Sequence, residues 1–409
     1  MRLSRRRWLQ LALALPGGSW LERYRALAAP YRNQVRITAI KAMQLRFGSN
    51  NCLIKIETDA GLVGYGEAGA SGPMARARLR TMESLLIGKD PLAIEVHFHN
   101  MSTLMHTYMA HIPTISGVDI ALWDLAGKIL GLPVHRLLGG PFRTEIPMYS
   151  HGLGLNMLDK QSCRDWAQRI REMPEGFTVF KIGIDPVVGV PAARFANTLT
   201  SEQLRRVAQA YANVREAVGS EIDIAVHCHN EFDTPSAIGI AKAVEPADPL
   251  FLEDPLDVPF HEGWLALKQA TRIPILTGEK LELVRGFRPF LDHRAVDIIH
   301  PDLAFAGGFT GVKKIADYAA MSRIPVALHN VGTAVLTAAS AQFAASIHNF
   351  YRSESALGRK ERLVEQMVPA TPLVVRKGML QLPQGPGLGI ELDQEFIRSQ
   401  MLPGEPWWG

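Results

Sequence analysis

From about residue 146 onward the chain follows a rhythm rather than a repeated motif. Short apolar runs at 146–149, 178–181, 222–226, 250–252, 273–276, 296–299, 324–328 and 344–347 alternate with stretches of helical periodicity. Runs this short and this apolar read as strands buried on both faces. The clearest intervening helix is 200–218, with Leu204, Val207, Ala208, Tyr211 and Val214 on one stripe and Thr200 and Gln203 placed for a capping box. Eight strand–helix units fit a closed α/β barrel of the TIM type better than an open doubly wound sheet.

The residues that close these runs are polar. His227, Glu253, Glu279, Asp302, His329 and Glu354 follow one another at intervals of 23 to 27 residues, one strand–helix unit each. Ionisable side chains therefore recur at one end of six successive strands, the end where barrel sites are assembled. His229 stands two residues beyond His227, on the same face of an extended chain.

Residues 34–70 read as antiparallel strands, at 35–42, 51–58 and after the turn in "TDAGLVGYGEAG", and helical patterns follow. Strands first and helices after indicate a separate α+β domain at 34–145, before a barrel at 146–382 and a loop-rich segment at 383–409. His97, His99, His106 and His111 cluster in that domain without acids at ligand spacing and read as core or surface histidines. Three cysteines, Cys52, Cys163 and Cys228, are an odd number and argue against a disulfide framework.

The formal charge of +4 comes from the N-terminus, where residues 1–28 hold six arginines against Glu22 alone. The rest is close to neutral, so no nucleic-acid partner is expected. "SRRRWLQLALALPGGSW" resembles a twin-arginine export signal, with small residues for cleavage at Ala26 and Ala28. Export to the periplasm as a folded, metal-loaded protein is expected, with 1–28 as the signal peptide. No other stretch approaches the ~20 apolar residues of a membrane span.

Three side chains converging from neighbouring strands, His227, Glu253 and Glu279, make a divalent-metal site with room for substrate oxygens. Asp302 and His329 form a candidate dyad in which the carboxylate orients the imidazole as a base. His229 is placed as an acid on the opposite face, and Glu354 as a hydrogen-bond donor or acceptor at a developing oxyanion. Metal, base and acid together suit proton abstraction next to a carboxylate.

"FKIG", "FLEDP", "ILTGEK", "HPDLAFAGG" and "ALHN", with "GLVGYGEAG" and "DIALWDLAGK" before them and "PGLGIELD" after, resemble the enolase superfamily. The likeness is to its mandelate-racemase-like group and, within that, to acid-sugar dehydratases of the galactonate and mannonate type. It implies a modified TIM barrel, (β/α)7β, with an α+β capping domain formed by the N-terminal region and the C-terminal segment. It also implies Mg²⁺ on the acids closing the third, fourth and fifth strands, and a His329–Asp302 dyad. A small carboxylate substrate and a homo-oligomer are expected.

Two positions depart from that pattern. His227 stands where the group has Asp, which leaves metal identity open and gives Glu231 or His229 a possible helping role. Strand two carries Lys181 where racemases have the first lysine of Lys-x-Lys, but Gly183 where they have the second. The missing lysine favours a dehydratase, in which the histidine two beyond the first ligand, here His229, is the general acid. The expected reaction removes water from an acid sugar to give a 2-keto-3-deoxy acid, with His329, Asp302, His229, Glu354 and Lys181 as its catalytic residues. A racemase or epimerase of a 2-hydroxy or amino acid, and a non-catalytic sugar-acid binding protein, are the alternatives. Specificity is expected from loops 46–51 and 69–76.

Overall fold

The computed structural model describes residues 35–47, 51–103, 109–189, 197–229, 232–356 and 363–408. The export segment read at 1–28, together with His106 and Glu231, lies outside the described residues. The chain opens with three strands, β1 (Ile37–Gln44), β2 (Cys52–Thr58) and β3 (Val63–Ala68), paired antiparallel in that order. Helices Gly72–Leu86, Ile94–Thr103 and Ile112–Leu130 complete a capping domain. Helix Ile112–Leu130 lies almost in contact with the backbone of β3. A Cβ on Gly66 would sit 2.0 Å from the carbonyl oxygen of Gly117, and one on Gly64 would sit 2.2 Å from that of Ala121. The "GYG" stretch is thus the footprint of a helix resting on a strand.

Eight parallel strands follow: β4 (Glu145–His151), β5 (Val179–Gly183), β6 (Asp223–His227), β7 (Leu252–Glu253), β8 (Ile275–Thr277), β9 (Ile298–Ile299), β10 (Val326–Leu328) and β11 (Phe350–Glu354). Each pairs with its chain neighbour, and β11 pairs with β4, Glu354 opposite Tyr149, which closes the barrel. Seven helical connections link the eight strands, giving (β/α)7β. Helix Ser201–Val218 carries the capping box expected of Thr200 and Gln203. A short hairpin, β12 (Val375–Arg376) and β13 (Met379–Gln381), continues the sheet antiparallel to β4.

The period-2 rule sorts the barrel interior into two layers. Ala225, Phe251, Ile298 and Ala327 belong to one buried apolar cluster. Two residues further along the same strands stand His227, Glu253, His300 and His329, all buried. The lower layer is an apolar plug and the upper one is ionisable, at the C-terminal ends of the strands.

One element is misplaced by the sequence reading. Residues 344–347 do not form the eighth strand: helix Ala334–Ser346 runs through them, and the strand is Phe350–Glu354. Every residue of that helix is buried, so it shows no polar face. An apolar run without periodicity does not distinguish a buried helix from a strand. Strands β4 to β8 also extend one or two residues past the apolar runs that mark them; in β4, β6, β7 and β8 the added residues are polar, and in β5 they are Ile182 and Gly183.

The C-terminal segment returns to the capping domain. Leu388 N donates to Asp124 Oδ1 at 2.8 Å, Arg76 grips Glu405 through both guanidinium nitrogens, and Lys41 and Lys55 donate to Trp408 O. Glu67 at the end of β3 ties the domain to the barrel. Its buried carboxylate accepts from the backbone and hydroxyl of Thr333 and from Leu336 N, at the start of helix Ala334–Ser346. His97 is buried against Asp90 O, His99 is exposed, and His111 caps helix Ile112–Leu130. The three cysteines are free and buried. No described helix is long and apolar enough to cross a membrane.

Candidate active site

The mouth of the barrel holds a cavity of about 420 Å³ lined by Lys181, His227, His229, Glu279, Lys280, Phe305, His329, Val331 and Glu354. A second hollow of about 270 Å³ shares Lys181, His227 and His229 with it and reaches His151, Gly183 and Asp185. The capping domain touches this wall. Phe305 packs so closely on Gly69 that a Cβ there would fall 2.5 Å from the ring; the stretch read as loop 69–76 is a loop only to Ser71, because helix Gly72–Leu86 begins there.

On one side of the cavity, His227, Glu253, Asp254 and Glu279 bring four donor atoms within 4.8 Å of one another, all four residues buried. Glu253 Oε2 and Asp254 Oδ2 have no hydrogen-bond partner among the described residues. Buried carboxylate oxygens without partners are costly unless a cation meets them, so the donor set fits a divalent ion. Burial pushes the Glu253 carboxyl up to about 8, with Lys181 pulling the other way, and it raises Asp254 to about 6. Burial acts in the same sense on Glu279, but the neighbouring His329 and lysines outweigh it and hold that carboxyl below its usual range.

Across the barrel, His329 Nδ1 lies 2.6 Å from Asp302 Oδ2, and Asp302 Oδ1 accepts from Ala304 N at 2.6 Å. The carboxylate thereby fixes the ring and leaves Nε2 facing the cavity, 3.3 Å from Glu279 Oε2 and 3.7 Å from Glu354 Oε2. Burial opposes protonation of this imidazole, but Glu354, Glu279 and Asp302 overcome it and raise its pKa to about 9. Neutralising Glu279 removes part of that pull.

A second aspartate–histidine pair faces the first. His229 Nδ1 lies 2.9 Å from Asp185 Oδ2, and the His229 carbonyl accepts from Lys280 Nζ at 2.5 Å. His229 adopts φ 53°, a left-handed conformation uncommon outside glycine, of the kind found where a side chain must be aimed. A Cβ on Gly183 would stand 3.8 Å from Asp185 Oδ2 and 3.9 Å from His229 Cε1. The face where a second strand-two lysine would project is fronted instead by the Asp185–His229 pair.

Between the two sides Lys181 Nζ bridges Glu253 Oε1 at 2.7 Å and Glu354 Oε1 at 2.9 Å. Burial disfavours the ammonium, but the carboxylates of Glu253, Glu354 and Glu279 outweigh it and keep it protonated. Glu354 also meets His151 Nε2 at 2.5 Å and Asn330 N at 3.3 Å. Burial raises its pKa, yet Lys181, His329 and His151 hold it well below the carboxylate range.

All eight residues singled out from the sequence stand at this mouth. Four others do as well. His151 lies two residues past the apolar run of its strand, and His300, hydrogen-bonded to Tyr149 OH at 2.8 Å, lies two residues before Asp302. Asp254 adjoins Glu253, so strand alternation sends it to the far face; its φ of 47° turns it back. Asp185 opens the short helix Asp185–Val188 after β5. Only the first two carried a sequence signal, the period of two along their strands.

The proton balance of the cluster makes a test. In the folded chain Glu253 and His329 keep protons that the unfolded chain has lost. Glu253 therefore contributes stability below its ordinary value of 4.5 that is lost as pH rises through about 8. His329 does the same between 6.5 and about 9. A cation displaces the Glu253 proton, so the rise in melting temperature on adding Mn²⁺ should be larger at about pH 9 than at about pH 6. A shift that shrinks with pH would contradict this account.

Residues 32–139 match the family described as mandelate racemase/muconate lactonizing enzyme, N-terminal domain, and residues 164–396 match enolase C-terminal domain-like. The chain is 35% identical to the D-xylonate dehydratase of Haloferax volcanii, across 91% of this chain and 92% of that one. It is 31% identical to the D-gluconate dehydratase of Thermoproteus tenax, across 87% and 70%. A mandelate racemase/muconate lactonizing enzyme-like protein from Rubrobacter xylanophilus superposes with a TM-score of 0.83 at 31% identity, across 91% and 99%. The chain belongs to the enolase superfamily, in its mandelate racemase and muconate lactonizing enzyme group.

Proposed function

We propose that this protein is a hydro-lyase that removes water from an acid sugar and releases a 2-keto-3-deoxy acid. The observation that carries this reading is the pair of opposed dyads, Asp302–His329 and Asp185–His229, on either side of one cavity. β6 and β10 are four strands apart in an eight-strand barrel, so the two imidazoles address opposite faces of whatever lies between them. One face supplies a base and the other an acid, as an elimination requires. The absence of a lysine at Gly183 argues against a two-base racemase, and the two acid-sugar dehydratases among the relatives named above support the same reading.

His227, Glu253 and Glu279, with Asp254 beside them, would hold a divalent cation, which supplies positive charge to the substrate carboxylate as its α-proton leaves. With the charge of Glu279 neutralised by that cation, the pull that holds a proton on His329 weakens, so that its Nε2 can take the α-proton while Asp302 stabilises the imidazolium. Lys181, fixed between two acids, adds a buried positive charge on the same side. His229 Nε2 gives a proton to the departing 3-hydroxyl, so water leaves and an enol remains, which tautomerises to the keto acid.

The test is turnover of a panel of C5 and C6 aldonates with a divalent metal, scored for keto acid. His229→Asn should lose dehydration while keeping slow exchange of the α-proton with solvent deuterium. Epimerised product without keto acid, or sugar acid bound without turnover, would overturn the reading.

A further inference from the structure

The cation cluster is not an all-oxygen site. His227 closes β6 at 4% exposure, and its Nε2 points into the cluster, 3.3 Å from Glu253 Oε1 and 3.8 Å from Glu279 Oε2. That nitrogen has no hydrogen-bond partner among the described residues. Its ring lies against His229, centroids 3.6 Å apart, which restricts rotation away from the carboxylates. Asp254 supplies a further donor. Thr277 Oγ1 holds its Oδ1 at 2.6 Å, while its Oδ2 is buried without a hydrogen-bond partner among the described residues.

Magnesium is hard, takes oxygen donors in near-ideal octahedra and keeps several of its waters. A neutral imidazole adds little for such an ion and occupies a position that a carboxylate or water would fill better. Manganese, iron and cobalt dications accept imidazole and carboxylate together, and their affinity for mixed nitrogen and oxygen sites exceeds that of harder ions. We infer that this site selects a first-row transition-metal dication of the Mn²⁺, Fe²⁺ or Co²⁺ kind over Mg²⁺, with His227 as the discriminating ligand and Asp254 as a fourth donor. The inference rests on the cluster being the cation site of the proposed reaction, but its test does not read turnover.

The probe is Mn²⁺ on the full chain, followed by pulsed electron paramagnetic resonance and by competition with Mg²⁺. Bound Mn²⁺ should show modulation from a directly coordinated ¹⁴N, and Mg²⁺ should displace it only at roughly 10- to 100-fold excess or more, the scale on which one residue at a metal site alters affinity. His227→Asp should lose the nitrogen signal and narrow the Mn²⁺ over Mg²⁺ preference, and Asp254→Asn should weaken Mn²⁺ binding on the same scale. Mn²⁺ bound without nitrogen modulation, a nitrogen signal that survives in His227→Asp, or Mg²⁺ competing at parity would each overturn it. If His227→Asp does not fold, the spectrum and competition of the parent protein still decide. A nitrogen-ligated Mn²⁺ in a protein that dehydrates no acid sugar would sink the proposed reaction and leave this inference standing. Dehydration of an acid sugar by a protein whose bound Mn²⁺ shows no nitrogen modulation, or yields to Mg²⁺ at parity, would do the reverse.

Discussion

Replacing His329 with asparagine is expected to lower the dehydration rate by about 10²- to 10⁴-fold, the range of a positioned acid or base. Exchange of the substrate's α-proton with solvent deuterium should fall with it. The two losses go together because Nε2 is the atom that takes that proton, while Nδ1 is committed to Asp302 at 2.6 Å. Asparagine keeps a polar group of similar reach, so the cavity and the cation cluster should persist, and Mn²⁺ binding serves as the control. Asp302→Asn should resemble a weaker His329 variant, since the imidazole remains but loses the charge that orients it. His229→Asn separates the steps, because it lacks only the proton for the departing hydroxyl. Full dehydration by His329→Asn with the cluster occupied would remove His329 from the mechanism.

Much of this site was legible because barrel geometry turns chain distance into angular position. One ionisable residue per strand–helix unit, from His227 to Glu354, is enough to infer a ring of side chains at one end. The reading was weakest where local backbone overrides that periodicity. Asp254 follows a strand residue, yet its left-handed turn brings it to the same side as Glu253. Asp185 lies in a helical turn of four residues, and nothing in its spacing announces His229 as its partner. The eighth strand was misplaced because helix Ala334–Ser346 has no exposed face to reveal its period. His151 escaped notice for a related reason: it extends β4 beyond the apolar residues that define the strand in sequence.

The largest effect on stability should come from Lys181. Its side chain is 1% exposed, with the ammonium between Glu253 and Glu354, which are both fully buried. Lys181→Met keeps most of the side-chain volume and removes the charge together with its hydrogen bond to Glu253, so any loss is polar rather than a packing defect. Removing one partner of a buried ion pair typically costs about 3–5 kcal/mol, because the remaining charge is left without compensation. Here the cost should fall near the lower end. His151 at 2.5 Å and His329 at 3.7 Å stay beside Glu354, and Glu253 can keep its proton. The midpoint of denaturant unfolding should drop at an unchanged slope, and a saturating cation at the neighbouring cluster should return part of the loss. Adding Glu354→Gln to Lys181→Met should also restore stability, since it removes the charge that was stranded, and the double-mutant cycle isolates that coupling. If Lys181→Met unfolds within about 1 kcal/mol of the parent, the lysine is not what holds Glu354 ionised inside the barrel.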